Sequence, residues 1–341
     1  MQKRRVVLHF VLVLALIFSV SPLFAQRKIT IKLASLVPEN TPWGAAINRL
    51  ATQWSEATNG EVELIVYHNG VAGDEAEVLR KLNLNQIQAA IFTSIGLNSV
   101  ASEVMTVSYP FLIRDDAELD AVLSRIKPEL ETKIQQGGFV TLAWARAGWI
   151  KVFSRSPVLT PSDLKRQKLG TSPDELEMLQ AFKTMGYQMV PTYLNDILVG
   201  LNGGMIDAVY QSPVAVAGYQ IFGIAKNMLS VNVAPFMGGI LMNNTAWRRI
   251  PDKYKSRLMA ICKQMETDIE NSIASLEVEA ISTMSKYGLV TNQPSPQQMQ
   301  EWYTDTAKYE NSLVGPIFNR EFYRKINAIL LEYRAAAARG R

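Results

Sequence analysis

The chain has 341 residues, 48% of them hydrophobic and 19% charged, with a formal charge of +4 and one cysteine. At roughly 150 residues per domain this is enough for two cores, and the lone Cys262 excludes an intramolecular disulfide framework. The first 25 residues hold three cations and no acids, so the rest carries only +1 and lacks the surplus of basic charge expected of a nucleic-acid binder.

The start reads "MQKRRVVLHFVLVLALIFSVSPLFA". Lys3, Arg4 and Arg5 precede an apolar run from Val6 to about Val20, the parts of a secretory signal. The run is shorter than the roughly 20 residues that span a bilayer. Cleavage is expected near Ala25, which makes the mature protein periplasmic and starts it near Gln26. Leu23 is large for its place before the cut, so an uncleaved membrane anchor is the alternative. No cysteine near the cut could take a lipid.

"ITIKLASL" alternates like a strand. A helix follows, with Thr41 to cap it, Pro42 at its first turn and Asn59-Gly60 to stop it. Trp43, Ile47, Leu50 and Trp54 form its apolar face. "EVELIVYH" predicts a second strand, "GDEAEVLRKLN" a helix begun by Asp74, and Ala89 to Phe92 a third strand. This order predicts a parallel sheet wrapped by helices. A helix from about Asp116 to Gln136 and the strand "GFVTLAWARAGWIKVF" come next.

A second alternating set begins after Pro161. It comprises a strand near Lys168, a helix over Pro173 to Met185, the strand "YQMVP", a helix from Leu194 to Asn202, and a short strand from Asp207 to Tyr210. Two α/β units predict two lobes with a cleft between them. From Asp252 to Lys286 the chain reads helical without Pro or Gly. At 1.5 Å per residue it would run about 50 Å and could lie across both lobes. Cys262 falls on it as a small core residue. Two further helices are expected in "SPQQMQEWYTDTAKYENSL" and "PIFNREFYRKINAILLEYR".

The enzyme signatures are missing. There is no G-x-S-x-G elbow, zinc helix or phosphate loop. Outside the signal the one histidine is His68, at a strand end, where a structural role is the ordinary reading. Asp74, Asp174 and Asp207 sit at helix or turn boundaries, where capping explains them. No enzyme activity, cofactor or metal is expected; an α/β hydrolase is the remote alternative.

The segments "TPSDLKRQKLG", "MGYQMVPTYLNDILVGLNGGMIDAVYQSP" and "GGILMNNTAWRRIPDKYK" resemble the solute-binding proteins of TRAP (tripartite ATP-independent periplasmic) transporters. "IKLASLVPENTPWG" and "NGVAGDEAEVLRKL" look similar too, and the resemblance covers nearly all of residues 29–330. It implies a two-lobed, periplasmic-binding-protein-like α/β fold with crossing hinge strands and a long bridging helix. Closure on a small-molecule ligand and delivery to TRAP permease membrane subunits are implied as well. Handover to a tetratricopeptide-repeat partner is the second functional reading. The lobes are expected at 26–150 with about 237–270, and 151–236 with about 271–325.

In that family a carboxylate is clamped by an arginine in a "DLKGLKIR"-like stretch, a position that matches Gly170 here. A second arginine position matches Ile150, and the asparagine of "QENP" matches Ser212. The usual anion grip is therefore expected to be absent, and the ligand to be apolar or neutral. Lys168, two residues before Gly170, is the candidate substitute cation. Gly170 is expected to leave room for ligand or, alternatively, to satisfy a backbone angle. Strand ends and nearby loops supply the other candidates: Trp43, Asn69, Thr93, Tyr109, Trp144, Trp149, Thr171, Ser212 and Phe236. Core packing is the competing reading for Trp144 and Trp149. Lys165 and Arg166 are expected to be solvated.

Overall fold

The computed structural model describes residues 28–339; the expected signal and its cut at Ala25 lie outside them. The first unit runs β1 (Ile29–Ala34), α1 (Pro42–Ala57), β2 (Val62–Tyr67), α2 (Glu75–Asn83), β3 (Ala89–Thr93) and the short α3 (Ser94–Asn98). β1 pairs in parallel with both β2 and β3. Thr41 caps α1 by accepting from the Gly44 N–H at 3.1 Å, with Pro42 at the first helical position. Ile47, Leu50 and Trp54 are fully buried on the sheet. A 3-10 turn at Ser102–Ser108 leads to α4 (Asp116–Gln136) and then to β4 (Phe139–Ser154).

The second unit runs α5 (Pro161–Lys165), β5 (Lys168–Thr171), α6 (Leu176–Thr184), β6 (Gln188–Pro191), α7 (Ile197–Asn202), β7 (Ala208–Gln211) and α8 (Pro213–Gly218). β5 is parallel to β6 and β7. α6 begins three residues later than Pro173, because Ser172–Asp174 forms a turn in which the Ser172 hydroxyl accepts from the Asp174 N–H. The stretch read as one helix from Leu194 divides into a 3-10 turn, Leu194–Asp196, and α7.

The chain then forms β8 (Asn227–Leu229), β9 (Ala234–Asn243), α9 (Asn244–Arg249), α10 (Asp252–Lys286), β10 (Val290–Asn292), α11 (Pro296–Lys308), α12 (Glu310–Leu313) and α13 (Arg320–Arg339). The sheet order is β2-β1-β3-β9-β4-β7-β5-β6. β4 is antiparallel to β9 over its first part, and to β7 and β8 at its end. β9 also pairs antiparallel with β3. β4 and β9 are therefore the strands that cross between two α/β lobes.

α10 has 35 residues, about 52 Å at 1.5 Å each. Leu258, Cys262, Ile269 and Ile273 pack in the core beneath β1 and α1, whereas Met284 packs with Phe153, Val209 and Ile221 in the second lobe. The helix bridges both. Its buried Glu266 accepts from Lys127 at 2.6 Å, Lys263 at 2.8 Å and the Trp144 amide at 3.2 Å. Burial alone would raise this carboxyl, but the Lys127 and Lys263 hydrogen bonds outweigh it and hold it below the usual range.

Two segments depart from the expected lobe division. Met105, Tyr109 and Phe111 pack into the second lobe's core with Trp302 and Phe318. α13 lies against α4, burying Phe322, Ile326 and Leu330 beside Val122 and Ile126, with Arg334 paired to Glu118 at 2.7 Å.

Candidate functional site

A cavity of about 390 Å³ lies between the lobes, above the crossing strands. Its first wall is the loop after β1, from Leu36 to Pro38 and on to Trp43, together with Glu75, Ile91 and Thr93. The opposite wall is Ser212, Val214 and Ala215 at the start of α8. Ala145 and Ala147 of β4, Phe236 to Gly238 of β9, and Ile273 and Leu276 of α10 complete it. The two facing walls are built at the C-terminal ends of β1, β3 and β7, where ligand sites of open α/β sheets gather. The floor is low because Ala145 pairs with Gly238 in the crossing ladder, so neither strand sends a large side chain upward there.

Polar groups in the lining are few and already engaged. The Thr93 hydroxyl caps α3 by accepting from the Ile95 N–H at 3.2 Å, and the Ser212 hydroxyl caps α8 by accepting from the Ala215 N–H at 3.3 Å. Glu75 is the only ionisable residue among the described ones that line the cavity. Its carboxylate accepts from the Thr93 N–H at 2.5 Å, the Thr93 hydroxyl at 2.9 Å and the Gly96 N–H at 3.0 Å. Burial raises its pKa despite these bonds, and Asp174 adds repulsion. Across the cleft, burial pushes the Glu175 carboxyl up to about 7 against one hydrogen bond from Thr171, with Asp174 and Glu75 adding repulsion. A hydrogen bond from the Asn98 amide to Glu177, 2.7 Å, ties the lobes together.

Of the residues singled out from sequence, Trp43, Thr93, Ser212 and Phe236 line this cavity. The rest lie elsewhere, each for a local reason. Along β4 the two-residue alternation turns Ala145 and Ala147 to the cleft and Trp144 and Arg146 away from it. The Trp144 indole donates to Glu131 at 3.0 Å, and Arg146 pairs with Asp116 and Asp120 at 2.9 and 2.5 Å. An irregularity between Arg146 and Trp149, at Gly148 with φ +90°, keeps the Trp149 indole on that same side, donating to Asp116 at 3.1 Å. Tyr109 is buried between Phe318 and Tyr323, with ring centroids 5.0 and 4.9 Å away. Asn69, at φ +59°, belongs to the turn after β2 and donates its N–H to the Val37 carbonyl. The Thr171 hydroxyl donates to Glu175 at 3.2 Å rather than into the cavity.

The "LKRQKLG" stretch also needs correction. The Lys168 ammonium binds the Gly204 carbonyl, because Lys168 opens β5 at the end opposite the cleft; it is no substitute clamp. Lys165 is not solvated: it pairs with Asp305 at 2.6 Å beside the rings of Tyr187 and Tyr309. Arg166 is 71% exposed, as expected. Gly170 leaves no open room and has no positive φ. A Cβ there would lie 2.9 Å from Ile206 Cδ1 and 3.4 Å from Thr192 Oγ1, and Ile206 is fully buried.

Sequence reasoning missed Leu36, Glu75, Ile91, Ala145, Ala147, Met237, Ile273 and Leu276. The strand-end rule could have found Leu36. Glu75 follows the capping Asp74 and reads from sequence as ordinary first-turn charge.

Residues 33–313 match the family model described as bacterial extracellular solute-binding protein, family 7 (DctP). A solute-binding protein of Verminephrobacter eiseniae is 26% identical over 230 residues, 67% of this chain and 68% of its own. The 2,3-diketo-L-gulonate-binding periplasmic protein YiaO of Escherichia coli is 23% identical over 239 residues, 69% of this chain and 72% of its own. Among solved structures, a TRAP periplasmic solute-binding protein of Xanthobacter autotrophicus with bound β-D-galacturonate superposes with a TM-score of 0.76 at 19% identity, covering 88% of this chain and 99% of its own.

Proposed function

Since the chain belongs to family 7 of the bacterial extracellular solute-binding proteins, the periplasmic receptors of TRAP transporters, we propose that it binds a small apolar or neutral organic ligand in the interlobe cavity and delivers it to a TRAP-type permease. The observation that carries this reading is the lining: apolar side chains, one carboxylate and no cation among the described residues. A carboxylate ligand entering there would lose its hydration without a charged partner. The positions that resemble the family's clamp hold Gly170, Ile150 and Ser212, and the nearest alternatives, Lys168 and Arg146, are bound elsewhere. The ligands that name YiaO and accompany the Xanthobacter structure are acids, so this receptor would differ from them in ligand class.

Closure would turn on β4 and β9, with α10 bending or shifting as the lobes approach. The moving bodies would correspond to 26–150 with about 237–270, and 151–236 with about 271–325, apart from the two exchanged segments described above. The periplasmic site of action would follow from export on residues 1–25, with cleavage near Ala25 or, as the alternative, an uncleaved anchor. Among the described residues no helix is long and apolar enough to cross a membrane. No observation favours a tetratricopeptide-repeat partner.

Native mass spectrometry of protein purified from its own cells should reveal a co-purified ligand without a carboxylate. Calorimetry with a panel of small acids should show no tight binding. Tight binding of a small dicarboxylate would refute the proposal.

A further inference from the structure

We infer that Glu75 sets the polarity of the ligand, rejecting carboxylates and accepting one hydrogen bond from a hydroxyl or N–H on an otherwise apolar molecule. This rests on reading the interlobe cavity as the ligand site. Three donors fix the Glu75 carboxylate: the Thr93 N–H at 2.5 Å, the Thr93 hydroxyl at 2.9 Å and the Gly96 N–H at 3.0 Å. An ionised carboxylate has about four acceptor positions, so about one remains for a ligand. It belongs to Oε1, which takes only the Thr93 N–H.

No lysine or arginine pairs with Glu75 among the described residues. The charge that acts on it is another acid, Asp174. An acid placed against this wall would meet a like charge with little water to screen it. A hydroxyl or N–H there would instead gain a charge-assisted hydrogen bond, while its apolar body lies over Ala145, Ala147 and Phe236. The competing account is that Glu75 merely ties the start of α2 to the turn between β3 and α3. That role would leave the discrimination against anions to the apolar lining alone, unchanged when Glu75 loses its charge.

Two fluorescent probes with the same ring system separate these accounts. N-phenylnaphthylamine is neutral and has one N–H; anilinonaphthalene sulfonate adds an anion. The wild-type protein should bind the amine at least about tenfold more tightly than the sulfonate, as expected for like charges within one partly desolvated pocket. Glu75→Gln keeps the side-chain length and removes the charge, and should cut that ratio severalfold. Equal wild-type affinities, or an unchanged ratio in a folded variant, would overturn the inference while leaving an apolar pocket in place. If the variant does not fold, the ratio is read on the wild-type protein at about pH 8 and again below pH 4.5, where the Glu75 carboxyl holds its proton while the sulfonate stays charged; a ratio that does not fall would overturn the inference. Failure of both probes to bind the wild-type protein would remove the apolar reading of the cavity and this inference with it.

Discussion

Gly170→Ala perturbs one contact by a known amount. The new methyl would stand 2.9 Å from Ile206 Cδ1, with Ile206 Cγ2 and Thr192 Oγ1 each at 3.4 Å. Ordinary contact begins near 3.4 Å, so Ile206 must yield by about half an ångström in a close-packed interior. Gly200 faces the same side chain, since a Cβ there would be 3.2 Å from Ile206 Cγ1 and 3.3 Å from Ile206 Cδ1. Overpacking of this kind costs about 1–3 kcal/mol. Restricting the unfolded chain returns about 0.4–1 kcal/mol. Taking the middle of each range, the net expectation is a loss of roughly 1.3 kcal/mol. Ile206→Val deletes the clashing Cδ1 and should cost about 0.5–1.5 kcal/mol by itself. In the double variant the new methyl fills the space that Cδ1 leaves, so the two losses should fall short of additive by about 1 kcal/mol. Urea denaturation followed by circular dichroism measures all four corners of the cycle. Ligand affinity should stay at wild type throughout, because Gly170 does not line the cavity. A Gly170→Ala protein as stable as wild type, or losses that simply add, would refute the packing account of this glycine.

Other perturbations probe separate contacts. Glu266→Ala strands Lys127 and the Trp144 amide; a loss of about 2–4 kcal/mol is expected by the same denaturation assay. Asn98→Ala removes the tie to Glu177 and should weaken ligand binding about three- to tenfold, read by calorimetry, with a more extended ligand-free scattering profile. For Glu175 the folded carboxyl lies near 7 against an ordinary 4.5, so the folded state holds its proton more tightly than the unfolded chain. Its favourable contribution is complete below about pH 4.5 and is lost as pH rises to about 7. The melting temperature of wild type relative to Glu175→Gln should therefore fall across that window, and a constant difference would show that Glu175 does not titrate there.

The two βα sets were legible because hydrophobic alternation, Asn-Gly stops and Thr or Asp caps all act locally. α10 was legible from the absence of breakers. β9 was not. Its "APFMGGILMN" carries a proline and a Gly-Gly pair, which break the alternation that marks a strand. The structure needs those glycines for contact: a Cβ at Gly238 would stand 2.7 Å from the Phe92 carbonyl oxygen, and one at Gly239 3.2 Å from that of Ala143. The cavity was half legible for the same reason. Thr93 and Ser212 announce themselves at parallel strand ends, whereas Ala145, Met237 and Ile273 reach the site through antiparallel crossing and helix docking, which no local pattern encodes. Trp144 and Trp149 misled because their register past Gly148 depends on an irregularity visible only once β4 is paired.

The crossing strands also decide how the molecule comes apart. β4 gives its first residues to β9 and its last to β7 and β8, and β9 is paired on its other side to β3. Each lobe thus contains ladder bonds that the other lobe's chain completes. A fragment ending near residue 150 would lack β9 and leave β3 and β4 with raw hydrogen-bonding edges, the surfaces on which strands aggregate. Even if the lobes move as separate bodies in the proposed closure, they are not expected to fold as separate proteins, and heating should melt both in a single cooperative transition.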